Sequence, residues 1–181
     1  NLSLGNLIDS DFAMLDPLLA HFYGIQGVDG QGFRKVNLPP ESPRGGLIGT
    51  TAFMIMGSTG DRTSPIIRGA LVLDKFLHDP SADPPPNVPE LTDASKEPLP
   101  VREMIELHQS KAQCASCHAK IDPTGYGLET FDAVGLWREE AKVGKRMEKI
   151  EQGGTLPGGK TYDDFEQFKS LLMENKNKLA R

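Results

Sequence analysis

The run Cys114-Ala115-Ser116-Cys117-His118 constrains this chain more than any other feature. It reads C-x-x-C-H. At that spacing two thiols on one short turn can each add to a vinyl group on the same edge of a porphyrin, and the next imidazole turns to the iron. The motif points to one covalently attached c-type haem, with Cys114 and Cys117 as the attachment sites and His118 as the proximal iron ligand. The sequence holds 2 cysteines and 4 histidines, so both cysteines fall in this run. Two other chemistries use the same residues. A thioredoxin-like dithiol needs a strand before the motif and a helix after it; here an amphipathic, helix-like segment precedes and a Pro/Gly stretch follows. A closed zinc site needs four ligands, and the motif supplies three.

A haem also needs an apolar wall and, in an electron carrier, a second axial ligand. Pro100 opens a helix on which Val101, Met104, Ile105, His108 and Ala112 recur at helical spacing. His108 falls on this stripe, six residues before Cys114, and is the first candidate for the distal ligand. A helix unbroken through Ala112 would hold His108 at the haem edge, so ligation predicts unwinding across Gln109 to Gln113. Met56, then Met54, is the runner-up, and methionine ligation would raise the potential. His21 and His78 read as surface or helix-end residues. Leu128, Phe131, Val134, Leu136 and Trp137 form the densest apolar patch and are the expected wall.

The rest of the chain is helical with interruptions. Asp16-Pro17 starts a helix that stops at Gly24. Residues 33–38 suit a short strand, and residues 47–56 lean to helix. Ser64-Pro65 opens a helix over 66–77. Residues 79–100 are proline-rich, and Pro84-Pro85-Pro86 predicts an extended strap. Ile121 to Gly127 reads as a turn loop, residues 139–151 as charged and solvated, and residues 150–162 as a loop or small irregular hairpin. A last helix spans 163–179, with Phe165, Phe168, Leu171 and Leu172 as its inner face. The fold class is mainly α with irregular loops and minor β. The expected organisation is a helical N-terminal module over 1–80, a proline-rich linker over 81–96 and a c-type haem module over 97–181, with cytochrome c as the architectural analogue.

A net charge of −5 with scattered basic residues argues against a nucleic-acid partner. No apolar run approaches the length of a membrane span. Haem of this type is attached outside the cytoplasm, which predicts a periplasmic or otherwise extracytoplasmic protein. No secretory leader heads the chain, so either a signal has been removed or, the favoured reading, the chain is a piece of something longer.

Several runs together carry a family resemblance. They are Ala20-His21-Phe22-Tyr23-Gly24-Ile25, Arg44-Gly45-Gly46-Leu47, Arg62-Thr63-Ser64-Pro65 with Arg68-Gly69, and Pro84-Pro85-Pro86-Asn87-Val88-Pro89. The series continues with the haem motif, Asp122-Pro123, residues 125–129 (G-Y-G-L-E) and residues 131–138 (F-D-A-V-G-L-W-R). The chain resembles the C-terminal part of large planctomycete-type cytochrome-like proteins, whose modules carry only unknown-function names. The resemblance implies a secreted, multi-module protein and electron transfer to a redox partner or to neighbouring modules.

Two other functions fit the same residues. A haem enzyme of peroxidase or oxidase type needs an open distal site beside an acid–base group, for which Asp122, Tyr126, Glu129 and Arg138 are near in sequence. In a structural module, the haem would act as a folding staple.

Overall fold

The computed structural model describes residues 3–82, 98–109 and 112–180. The Pro84 to Pro89 strap lies outside the described residues. The described residues are mainly helical, with three separate two-stranded antiparallel sheets among them.

A 3-10 turn at Leu4–Leu7 leads into strand β1 (Phe12–Leu15) and helix α1 (Pro17–Phe22). The Asp16 carboxylate accepts from the Leu19 N–H at 2.7 Å and Pro17 takes the first helical position, as the sequence predicts. Strand β2 (Arg34–Asn37) returns antiparallel to β1.

Helix α2 (Thr51–Met56) is shorter than the apolar run that contains it. Thr50 caps it, and residues 47–50 form a turn. Helix α3 (Pro65–Lys75) is capped by Ser64 and buries Arg68, Gly69, Val72 and Leu73.

Helix α4 (Val101–Gln109) buries Ile105, and α5 (Ala112–Gly125) carries the cysteine motif. Residues 110–111, in the stretch where ligation by His108 would need the helix to unwind, lie outside the described residues. Beyond the motif, the structure differs from the expected turn loop. Helix α5 runs on through Pro123 to Gly125 and continues as a 3-10 turn at Tyr126–Leu128. Pro123 removes one helical donor, but tertiary contacts described below hold the segment helical.

Residues 139–151, expected to be solvated chain, form a hairpin of β3 (Glu140–Val143) and β4 (Arg146–Lys149). Gly144, at φ +60°, supplies the left-handed turn residue. Strands β5 (Gly154–Leu156) and β6 (Lys160–Tyr162) make the small hairpin, and α6 (Phe165–Glu174) closes the fold with a 3-10 turn at Lys176–Ala180.

One apolar core serves both sides of the proline-rich segment. Ile8, Ile48, Met54, Val72, Leu73 and Phe76 pack in the same cluster as Leu128, Phe131, Tyr162, Phe165, Phe168 and Leu172. The principal junction is α3 against α5. A Cβ at Gly69 would collide with the Ile121 carbonyl, and one at Gly125 with the Pro65 carbonyl. These two glycines let the helix backbones touch, and that contact fixes where the motif helix lies.

Candidate functional site

On a helix, residues i, i+3 and i+4 share one face. Helix α5 therefore presents Cys114, Cys117 and His118 together. Both cysteines are free; Cys114 is buried, and half-buried Cys117 packs against the core. Continuation of the helix past the motif brings a further residue onto this face. His118 Nδ1 lies 2.9 Å and 3.0 Å from the two oxygens of Asp122, one turn on. Asp122 is 0% exposed. Its Oδ2 also accepts a hydrogen bond from Gln109 Nε2 at 2.7 Å. Burial pushes the Asp122 carboxyl up from its ordinary value, while the Gln109 hydrogen bond and the adjacent histidines pull it back.

The His108 ring, from the neighbouring helix α4, meets the His118 ring edge-on, with centroids 5.0 Å apart. Two imidazoles bound to one metal from opposite sides, each at about 2.0–2.1 Å, would have ring centres roughly 6 Å apart. The observed contact is closer than that and leaves no room for a macrocycle plane between the rings. His108 is thus beside the motif, and axial ligation requires α4 to draw back. Met56 is 61% exposed at the end of α2, and Met54 is fully buried in the core. Nothing in the described residues brings either methionine to the motif.

The donor set fits a haem on the proximal side. The two thiols are unpaired, and the Nδ1–H donated to Asp122 leaves Nε2 for the iron. Among the described residues no group of three or more His, Cys, Asp and Glu is gathered as a metal site.

The expected apolar wall is only partly a wall. Leu128 and Phe131 are fully buried in the core, with Trp137 and Phe165 around Phe131 in edge-on contacts. Val134 and Leu136 are exposed. The loop they occupy turns outward on a scaffold of buried arginines. Arg68 is 0% exposed and donates to the carbonyls of Leu128 at 2.7 Å, Phe131 at 2.6 Å and Asp132 at 2.7 Å. Arg44 lies over the Tyr23 ring and donates to the Gly135 carbonyl at 2.8 Å.

Three of the four groups near the motif in sequence are engaged elsewhere. Glu129 accepts from Thr63 at 2.7 Å and pairs with Arg68 at 3.5 Å and Arg138 at 3.9 Å. Burial pushes its carboxyl up, against the pull of Arg68. Tyr126 lies under the Arg102 guanidinium, and burial pushes its phenol up to about 12. Only Asp122 touches the motif. Tyr162 secures the end of α5: its hydroxyl donates to the Pro123 carbonyl at 2.6 Å and accepts from the Gly127 N–H at 3.0 Å.

A cleft of about 380 Å³ lies between α4 and the β3–β4 hairpin, lined by residues including Arg102, Glu106, Tyr126, Arg138 and Lys149. Cys114, Cys117 and His118 take no part in its lining. Sequence reasoning singled out Asp122 for its nearness to the motif but missed its bond to His118. It also missed Gln109 as the carboxylate's second donor. The His-x-x-x-Asp spacing carries the first signal, once the helix is allowed to continue through Ile121.

No curated protein and no solved structure matches the chain. A family model described as a protein of unknown function (PSCyt3, DUF1588) matches residues 44–141. That stretch contains Arg44, Arg68, the cysteine motif, Asp122, Glu129 and Arg138. More than half of the chain lies within the match, so the protein belongs to the PSCyt3 family, a domain of unknown function found in planctomycete-type cytochrome-like proteins.

Proposed function

We propose that this chain is a c-type cytochrome module that passes single electrons. Cys114 and Cys117 hold one haem through thioethers, and His118 is its proximal ligand. The observation that carries the reading is the shared helix face of Cys114, Cys117 and His118, with His118 Nδ1 held by buried Asp122. The haem, once attached, supplies a one-electron couple. The residues around it do the rest. Cys114 and Cys117 fix its edge to α5, Asp122 fixes the imidazole ring and its tautomer, and the α3–α5 contact fixes the helix.

His108 is the distal ligand in this reading, ahead of Met56, because α4 places it beside the motif helix while Met56 is exposed at the end of α2; binding would need α4 to draw back from His118. The module belongs to the C-terminal part of a larger, extracytoplasmic, multi-module protein. Its electrons go to a redox partner or to a neighbouring module.

Reduced-minus-oxidised spectroscopy of protein made with haem-attachment machinery tests this function. The account predicts c-type bands from a low-spin haem that binds carbon monoxide or cyanide slowly or not at all. Fast binding of either would favour the peroxidase-like or oxidase-like alternative with an open distal site.

A further inference from the structure

We propose that Asp122 is a positioning residue that tunes His118 as an iron ligand and holds the reduction potential low; this rests on the haem reading above. The geometry is specific. His118 Nδ1 faces both carboxylate oxygens at 2.9 Å and 3.0 Å, on a side chain with no solvent exposure. A carboxylate partner draws the Nδ1 proton towards itself and leaves more electron density on Nε2. A more basic imidazole favours the ferric iron over the ferrous iron that forms when one electron arrives from the redox partner. The proton stays on Nδ1, and no bond in the protein breaks.

Gln109 sets the strength of this effect. Its Nε2 shares Oδ2 of Asp122 with His118, at 2.7 Å. A carboxylate that accepts two hydrogen bonds gives less to each, so Gln109 moderates the pull on the imidazole. Gln109 thus ties α4 to the proximal ligand through Asp122, beside the ring contact of His108 with His118.

The test compares Asp122→Asn and Gln109→Met with the wild-type holoprotein. The readouts are the midpoint potential and the His118 Nδ1–H proton resonance of the ferrous protein. Asp122→Asn should keep its covalent haem and raise the potential by about 59 mV, a tenfold change in the reduced-to-oxidised ratio of a one-electron couple. Its Nδ1–H resonance should move upfield. Gln109→Met should shift both readouts the opposite way.

A purely structural role would lower the unfolding midpoint of both variants and move their potentials in one direction or not at all, which overturns the proposal. An unchanged potential in Asp122→Asn with haem attached also overturns it. If Asp122→Asn does not fold, Gln109→Met decides alone, and a potential that fails to fall overturns the proposal. Wild-type protein without covalent haem overturns the underlying cytochrome reading and this inference with it, a result separable from the others on a denaturing gel.

Discussion

Arg68 holds more of this structure together than any residue of the cysteine motif does. Its guanidinium is fully buried and feeds three backbone carbonyls of the 128–132 segment while facing the Glu129 carboxylate. Removing it strands those carbonyls and a buried charge. Arg68→Met should cost about 3–5 kcal/mol, measured by denaturant unfolding followed on Trp137, the one tryptophan in the sequence. Lysine cannot replace the planar fork, so Arg68→Lys should recover less than half of the loss. Glu129→Gln should cost less than Arg68→Met, because Arg68 then keeps its bonds to the Leu128, Phe131 and Asp132 carbonyls. Tyr162→Phe gives up a donor to Pro123 and an acceptor for Gly127, and should cost about 1–2 kcal/mol. Haem attachment should survive that change, because the thiols lie at the other end of α5.

At the scale of elements, the position of the motif helix depends on two glycines that meet facing carbonyls. Gly69→Ala and Gly125→Ala each put a methyl group where the opposing backbone already stands. Overpacking a well-filled site costs about 1–3 kcal/mol, and here a backbone must give way rather than a flexible side chain. Each variant should lose at least about 3 kcal/mol in thermal or denaturant unfolding, while Gly153→Ala, whose new methyl would meet only ordinary contacts, should lose far less. His108→Ala should convert a low-spin haem to high-spin, and Met56→Ala should leave the spectrum unchanged; the reverse pattern would point to a higher-potential His/Met carrier.

What the sequence made legible at this scale was local. The caps Asp16 and Ser64, with their following prolines, and the apolar faces of α3 and α6 depend on near neighbours, and the structure has them where the pattern puts them. Helix α5 beyond the motif was not legible. Pro123 and Gly125 are helix breakers by composition, and only Tyr162 and the α3 contact override them. Reading Asp122-Pro123 as a turn hid the one-turn step from His118 to Asp122. The β3–β4 hairpin was missed because its strands alternate charged residues and bury only Val143, so no apolar rhythm marks them. The haem motif is legible as five consecutive residues, Cys114 to His118, whereas the bond from His118 to Asp122 depends on the helix continuing past them.

At the scale of the whole molecule, the apolar core crosses the proline-rich segment. Helix α3 from the first half packs on α5 from the second, and Val72, Leu73 and Phe76 sit among Leu128, Phe131 and Phe168. Lys120 also reaches back to Asp79, with its Nζ 2.6 Å from Oδ1. A fragment of residues 97–181 would expose half of this core to water. Expressed alone, it should show no cooperative unfolding transition and should recover one when mixed with a fragment of residues 1–82. Independent folding of the C-terminal fragment would show that the shared core is dispensable.

Covalent haem on Cys114 and Cys117 is read by intact mass spectrometry of denatured protein purified from a host with haem-attachment machinery. The expected result is the chain mass plus one haem, no free thiol reactive to alkylation, and loss of the added mass in Cys114→Ser/Cys117→Ser. An unmodified chain with two alkylatable thiols from that host would contradict it.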